Sequence, residues 1–325
     1  PTRRSSDLWN LSGKCISEFT GYSPCFSSDG NYIATAVSDG KGKLWDFVGK
    51  AIAEFSGKPV AFSPDSKYIA TTPNPGLIRL WDLSGNCIFE CDGYRPCFSP
   101  DGKYIAIASL DGKTALWDLS GKQIAQLIGK RAIFSPDGKH VATASYNSTD
   151  RNITIVWNLL GVMLFWLSGH ENIISDVAFS PDGNYIATAS YDRTARLWDL
   201  SGNQVAKCVE HQQRVLTVSF SASGEYIITT SEDRTVRLWD LWGKQIGEFK
   251  TDNSWEMSAA VSPDGRLIAL ALDDGTVKIW RVETLEELLA RGCEWLKYYF
   301  GNHPEAREKL KICHNLNRPL QKYRF

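Results

Sequence analysis

The stretch SPDGNYIATASYDRTARLWDLSGNQ, residues 180–204, carries the pattern from which most of this chain is copied. It begins with a tight turn, because Pro181 presets its own φ and Gly183 accepts a positive φ. Residues 184–190 and 195–200 alternate in polarity and are rich in side chains that favour strands. The stretch therefore predicts two strands joined by a reversal, and a third strand begins at its last residue, after a second turn.

A tryptophan followed by Asp, Asn or Arg ends the second of these strands, and the same pair recurs along the chain. The eight copies stand at Trp9, Trp45, Trp81, Trp117, Trp157, Trp198, Trp239 and Trp280, with spacings of 36, 36, 36, 40, 41, 41 and 41 residues. A period of this size, with four strands in each copy, resembles the WD40 repeat family over about residues 8–282. The resemblance implies an all-β propeller in which each four-stranded sheet forms one blade.

Seven segments match the first strand of a blade, so we predict seven blades. They lie at Cys25-Phe26, Ala61-Phe62, Cys97-Phe98, Ile133-Phe134, Ala178-Phe179, Ser219-Phe220 and Ala260-Val261. A lone four-stranded sheet cannot bury both of its faces, and radial packing lets each blade cover the next.

The two ends of the repeat region complete one another. Residues 15–19 match a fourth, outer strand, and residues 259–282 supply three strands without a fourth. Joining them would complete a blade and close the ring, leaving no long open edge. We therefore expect a loose segment at residues 1–7, a propeller at residues 8–282 and a short C-terminal helical appendage at residues 283–325.

The helical expectation rests on the apolar spacing of residues 284–300. Thr284 and Glu287 match a capping box at the start of this segment. A second helix is expected from Pro304 to about Cys313, because proline is favoured in a first helical turn.

Composition excludes several function classes. Thirty-six Lys and Arg balance thirty-seven Asp and Glu, so nothing favours nucleic acid as a partner. No apolar run is long enough to span a membrane, and no GxxxxGK[ST] phosphate loop is present. The eight cysteines show neither metal-ligand nor disulfide spacing. We expect no metal, no cofactor and a reducing, cytoplasmic setting.

Two sets of polar residues recur with identical offsets. They are His170, Ser190, Asp192 and Trp198, and then His211, Ser231, Asp233 and Trp239. Ser, His and Asp together could indicate a hydrolase, but a catalytic triad needs a single accessible site with an oxyanion hole. The family resemblance implies a buried chain from the indole N–H through a hydroxyl and an imidazole to a carboxylate, so we expect no catalytic residues. The first four blades lack this histidine and should be held by tryptophan burial and ring closure.

The first four blades are preceded by short links that bring cations and aromatic residues to one rim. These side chains are Tyr22, Lys58, Tyr94, Arg95, Lys130 and Arg131. They predict a recess for an acidic peptide, a carboxylate or a phosphate, or else ordinary solvated rim charge. Trp255, on the seventh link, is a candidate interface anchor or a plug of the channel mouth.

The segment LLARGCEWLKYYF, residues 288–300, resembles the tail that follows WD40 arrays in large bacterial, especially cyanobacterial, proteins. Such proteins often carry a signalling NTPase domain of the STAND type, or another effector, upstream. The resemblance implies a noncatalytic recognition or sensor module with a protein or peptide partner and an upstream effector domain in the same chain. A constitutive scaffold, and an enzyme that uses the channel, are the alternatives.

Overall fold

The computed structural model describes residues 5–9, 15–144, 152–250, 256–262, 267–272 and 277–281, together with Gly292 and Leu296. These residues form twenty-nine strands, β1 to β29, and no helical element. None of them belongs to a helix with the length and apolar character needed to cross a bilayer. The described part of the chain is therefore all-β, as the sequence predicts.

Six sheets contain four antiparallel strands each, in the sequential order first, second, third, fourth. Sheet 1 has β3 (Tyr22–Phe26), β4 (Tyr32–Ala36), β5 (Lys41–Asp46) and β6 (Ala51–Ser56). Sheet 2 has β7 (Lys58–Phe62), β8 (Tyr68–Thr72), β9 (Leu77–Asp82) and β10 (Cys87–Asp92). Sheet 3 has β11 (Tyr94–Phe98), β12 (Tyr104–Ala108), β13 (Lys113–Asp118) and β14 (Gln123–Ile128).

The next three sheets repeat this order. Sheet 4 has β15 (Arg131–Phe134), β16 (His140–Ala144), β17 (Thr154–Asn158) and β18 (Met163–Leu167). Sheet 5 has β19 (Ile174–Phe179), β20 (Tyr185–Ser190), β21 (Ala195–Asp199) and β22 (Gln204–Cys208). Sheet 6 has β23 (Val215–Phe220), β24 (Tyr226–Ser231), β25 (Thr235–Asp240) and β26 (Gln245–Lys250).

Shorter sheets lie at the two ends of the repeats. β1 (Ser5–Trp9) pairs with β2 (Cys15–Thr20), and β27 (Glu256–Val261), β28 (Leu267–Leu272) and β29 (Val277–Arg281) form a three-stranded sheet. The chain divides into two compact units, Pro1–Glu256 and Met257–Phe325. Sheets 1 to 6 belong to the first unit.

Side-chain hydrogen bonds explain why the turns fall where they do. In sheet 5 the Ser180 hydroxyl donates to the Asp182 carboxylate at 2.5 Å across the first turn. Asp199, which follows the repeated tryptophan, accepts the backbone N–H groups of Ser201 and Asn203 at 2.9 Å each. The aspartate of the Trp-Asp pair therefore organises the turn into the fourth strand.

The hydrophobic core lies between neighbouring sheets. Sheet 5 contributes Leu197, Ala206 and Cys208 to a buried cluster that also contains Val215, Ile227 and Trp239 of sheet 6. Within the first unit, the first strands of consecutive sheets also contact one another. Each sheet thus covers a face of the next, and the first strands lie on the inner side of the stack.

The N-terminal pair differs in detail from the expectation. β1 begins at Ser5, inside the segment expected to be loose at residues 1–7. Trp9 lies opposite Cys15 after a register shift, just as Trp45 lies opposite Ala51 in sheet 1. This pair therefore has the geometry of a third and a fourth strand. β2 takes β1 as its partner, whereas the predicted closure pairs it with β29; closure and the count of seven blades stay predictions.

The predicted helices at residues 284–300 and 304–313 lie outside the described residues, except for two positions. The backbone N–H of Leu296 donates to the carbonyl of Gly292 at 3.1 Å.

The glycine that opens each short link sits in a tight space. Gly129 has a φ of +121°, and a Cβ placed there would lie 2.7 Å from Thr143 Cβ and 2.9 Å from the Ala144 carbonyl oxygen. We expect Gly129→Ala to destabilise the fold by about 2 kcal/mol or more, because strain and overlap add.

Gly30 is the matched control for this substitution. It has a φ of +73° but open space around the added Cβ, so Gly30→Ala should cost about 1 kcal/mol from backbone strain alone. Urea denaturation of the two variants compares them directly. Equal losses would show that the close approach at Gly129 is unimportant.

Candidate functional site

A chain of buried hydrogen bonds crosses sheet 5. The Trp198 indole N–H donates to the Thr188 hydroxyl at 2.9 Å, and that hydroxyl lies 2.7 Å from His170 Nε2. His170 Nδ1 lies 2.8 Å from the Asp192 carboxylate. A neutral imidazole that is protonated on Nδ1 satisfies every member of this chain.

Sheet 6 repeats the arrangement with nearly the same distances. Trp239 donates to Thr229 at 2.8 Å, Thr229 lies 2.7 Å from His211 Nε2, and His211 Nδ1 lies 2.8 Å from Asp233. The side chains of His170 and His211 are 1% and 0% exposed. A substrate has no access to imidazoles buried in this way, so the geometry favours a structural role.

The hydroxyl in each chain is a threonine, which corrects the role that the sequence suggested for Ser190 and Ser231. Ile186 lies opposite Trp198 in the ladder, so Thr188 is the diagonal neighbour on the same face of the sheet. Ser190 lies one further step along, at the strand end. Its hydroxyl donates to the Asn172 carbonyl at 3.0 Å, and Ser231 makes the same kind of bond to Gln213 at 3.3 Å.

The charge states of this network follow from its burial. Burial lowers the pKa of His170 more than its hydrogen bond with Asp192 raises it. Burial alone would raise the pKa of Asp192, but hydrogen bonds from His170, Thr194 and the backbone of Glu171 hold it well below its usual range. At neutral pH the network therefore holds a neutral imidazole against a carboxylate.

In sheets 1, 2 and 4 the indole N–H also has a threonine acceptor, but no histidine takes part. The indoles of Trp45, Trp81 and Trp157 donate to Thr35, Thr71 and Thr143 at 2.9, 2.8 and 2.8 Å. Each threonine in turn donates to the backbone carbonyl before the link glycine, at Thr20, Ser56 and Ile128. These sheets are thus held by a hydrogen bond as well as by tryptophan burial, which corrects the expectation that burial and closure act alone.

Sheet 3 is the exception among the six four-stranded sheets. Ile107 occupies the position of the threonine, and the buried Trp117 Nε1 has no hydrogen-bond acceptor among the described residues. Its indole stacks on Phe89 instead, with ring centroids 5.4 Å apart and an angle of 19° between the planes. Packing replaces the polar bond here.

A recess of about 340 Å³ gathers four of the predicted rim residues. Tyr94, Arg95, Lys130 and Arg131 line it, together with Ile174 and Ser175. They lie at or just before the starts of β11, β15 and β19, which are the first strands of three consecutive sheets. The recess therefore lies on the inner side of the stack, at the rim that carries the links.

A buried acid beneath the recess fixes one of its cations. Arg131 lies 2.8 Å from Asp176 and donates to the Ser175 carbonyl at 3.3 Å. Asp176 also accepts the backbone N–H of Val218 at 3.2 Å, which ties sheet 5 to sheet 6. Burial raises the pKa of Asp176, against the lowering effects of Arg131 and Arg95.

Arg95 is exposed and differs from Arg131 in its surroundings. Within the described residues its guanidinium forms no hydrogen bond or ion pair. Its backbone is left-handed, with a φ of +51°, at an irregularity between Tyr94 and Cys97. Such bulges redirect side chains, and Arg95 is one of the residues that line the recess.

The other predicted rim residues lie elsewhere. Tyr22 and Lys58 begin β3 and β7 and do not line this recess. Trp255 lies outside the described residues. Across the described ranges, no group of three or more His, Cys, Asp or Glu side chains could hold a metal ion.

The threonines and Asp176 are not among the site residues predicted from the sequence. Thr35, Thr71, Thr188 and Thr229 each stand ten positions before a repeated tryptophan, so this spacing could have revealed them. Asp176 lies inside a strand, where aspartate is depleted, and that signal was also available.

Two comparisons with known proteins match the repeats and the fold of this chain. The family model described as "WD domain, G-beta repeat" matches residues 13–46, 86–118, 161–199, 202–240 and 243–281, more than half of the chain. The crystal structure of the C-terminal WD40 domain of Sif2 is similar, with a TM-score of 0.67 and 22% identity over 77% of this chain and 78% of that one. This identity shows the fold alone. A search of curated proteins found no match.

Acid should weaken the fold through the His170 network. In the unfolded chain this imidazole takes up a proton below its ordinary pKa of about 6.5, whereas the folded, buried imidazole has a lowered pKa. Its contribution is therefore fully present above pH about 6.5 and falls as pH decreases, by up to about 1.4 kcal/mol per pH unit. Asp192, with its lowered pKa, adds a loss in the same direction below pH about 4.

Urea midpoints at pH 7.5 and 5.5 test this. His170→Gln should lower the free energy of unfolding by about 1 to 3 kcal/mol at pH 7.5, because it leaves buried polar groups without their hydrogen-bond partner. On acidification, the free energy of unfolding of this variant should then fall by less than that of the unmodified protein. The same pH dependence in both proteins would contradict a neutral buried His170.

The unpaired indole of sheet 3 offers a second test. Ile107→Thr would give Trp117 an acceptor, whereas Ile105→Thr, at an equally buried site in the same strand, would only bury an unpaired hydroxyl. We expect Ile107→Thr to be the more stable variant by about 1 to 3 kcal/mol in urea unfolding. A reversed order would mean that the orphaned indole costs little.

Proposed function

Because this chain belongs to the WD40 repeat family, we propose that it is a noncatalytic protein-interaction propeller whose partner places an acidic segment in the recess of sheets 3 to 5. WD40 propellers generally mediate protein interactions. In this proposal Arg95 and Arg131 bind carboxylates, Lys130 adds charge, and Tyr94 packs against the bound segment.

The convergence of three cations on one recess carries this proposal. Arg95, Lys130 and Arg131 contribute three positive charges, and Asp176 neutralises one of them. Because Arg131 already bonds Asp176, the exposed Arg95 is the group best able to form a new bidentate contact. A partner carrying carboxylates complements the remaining charge.

The wider architecture belongs to the same proposal. It includes seven blades, closure of the repeats by the outer strand at residues 15–19, and a role for Trp255 as an interface anchor. The module acts as the cytoplasmic sensor of a larger bacterial signalling or defence protein and passes binding to an upstream effector domain. The family match and the clustered cations support recognition; the sensor step rests on resemblance.

Arg95→Ser tests the recess. Ser23 occupies the corresponding position of sheet 1 with a φ of +50°, so serine suits this backbone. We expect the variant to have the same urea unfolding midpoint as the unmodified protein. It should bind a fluorescent glutamate-rich peptide at least about 10-fold more weakly, since a hydrogen bond to a charged group contributes about 1.5 to 3 kcal/mol. Fluorescence anisotropy at low salt measures the affinity.

Lys58→Ser is the matched control, because Lys58 is an exposed cation on a short link outside the recess. It should bind the peptide as the unmodified protein does. Equal losses in both variants would reveal nonspecific charge attraction, and no loss in Arg95→Ser would exclude the recess. A scaffold would keep its partner after either change, whereas an enzyme would turn over ester or phosphate substrates.

A further inference from the structure

The outer hairpin of sheet 4 differs in charge from every corresponding hairpin. Residues 154–167, TIVWNLLGVMLFWL, span β17, its turn and β18, and they contain no Lys, Arg, Asp or Glu. In each of the other five four-stranded sheets, the third and fourth strands with their turn carry at least three charged residues. Sheet 4 has therefore lost its charge only on its outer half.

Register shows which residues account for the change. The position of Trp166 in β18 is held in the other sheets by Glu54, Glu90, Gln126, Lys207 and Glu248. The turn position of Val162 is held by Lys50, Asn86, Lys122, Asn203 and Lys244. Polar or charged residues have thus been replaced by apolar ones at two matched positions.

These apolar side chains lie on the surface. Leu160 is 78% exposed, and Val162 and Trp166 are each 55% exposed. Met163 and Leu164 are also exposed. Leu167 and Phe165 point the other way, into the core shared with sheet 5. Packing of this sheet therefore does not account for the exposed group, and contiguous exposed apolar residues mark interaction sites.

The backbone of β18 is also available. β18 is the last strand of its sheet and pairs only with β17 among the described residues. An unpaired strand edge can accept another strand, and proteins usually protect such edges with charged side chains. β18 has no such charge, so its edge and its side chains both favour a strand as the partner.

We propose that β18 pairs antiparallel with β18 of a second copy of this chain, about a two-fold axis. The lack of like charges across such a pair favours a second copy as the partner. Pairing β6, β10 or β26 with its own copy would bring glutamates close together, whereas β14 and β18 contain no charged residue. Of these two strands, β18 is the one that also follows an apolar turn and carries an exposed tryptophan. Two-fold pairing of identical surfaces is the commonest way in which protein chains associate.

The available area sets the strength of the dimer. A specific interface buries at least about 1,000 Å² in total, and the five exposed side chains of each copy with their strand backbones offer an area of that order. The interface is therefore near the lower size limit of specific interfaces, so we expect weak association. The fraction of dimer should then depend on the protein concentration. The recess of sheets 3 to 5 takes no part in it.

Sedimentation equilibrium of the full chain across protein concentrations tests the dimer. We expect the unmodified protein to reach the mass of two chains, and Trp166→Glu to weaken association at least about 10-fold. Glu54, Glu90 and Glu248 occupy this register in other sheets, so glutamate is compatible with the fold here. An unchanged unfolding midpoint in urea would confirm that the variant is folded.

Trp242→Ser is the matched control. Trp242 is 82% exposed in the corresponding turn of sheet 6, where Ser84, Ser120 and Ser201 stand in other sheets. This variant should dimerise as the unmodified protein does. A monomer at every concentration, a Trp166→Glu protein that still dimerises, or open-ended association in place of dimers would each overturn the proposal.

Discussion

The hydrogen bond from a buried indole N–H to a threonine hydroxyl is the interaction that recurs through most of the four-stranded sheets and on which their polar networks depend. A tryptophan supplies much apolar area, but its N–H must find an acceptor once it is buried. In five of the six four-stranded sheets that acceptor is a threonine on the neighbouring strand. The bond joins the second strand to the third strand, and residues of a flanking sheet then cover the indole.

What lies beyond the threonine separates two kinds of blade. In sheets 5 and 6 the hydroxyl contacts a histidine that is held by a carboxylate, whereas in sheets 1, 2 and 4 it donates to a link carbonyl. The short link brings that carbonyl close, and the longer link makes room for an imidazole. Link length thus sets both the internal polar network and the side chains that reach the rim.

The candidate sites of this protein lie where the sheets differ from one another. The fold by itself selects no partner, because one fold supports many different functions. Arg95 and Arg131 mark one departure, a cationic recess above a buried acid. Trp166 marks another, an apolar strand edge where the other sheets have a polar or charged residue at the matching position. The two sites lie on different strands of the blades, so each can evolve without disturbing the repeated core.

The repeat, the strands and the recurring polar residues could be predicted from the amino-acid sequence, because turn residues and alternation act over short distances. The strands expected at residues 184–190 and 195–200 form β20 (Tyr185–Ser190) and β21 (Ala195–Asp199). The sequence pattern did not reveal that Thr188, and not Ser190, joins Trp198 to His170. Nor did it reveal that Asp176 bonds Arg131, which lies forty-five residues earlier in the chain. Both results depend on which strand faces lie against one another, and this geometry arises when distant segments pack.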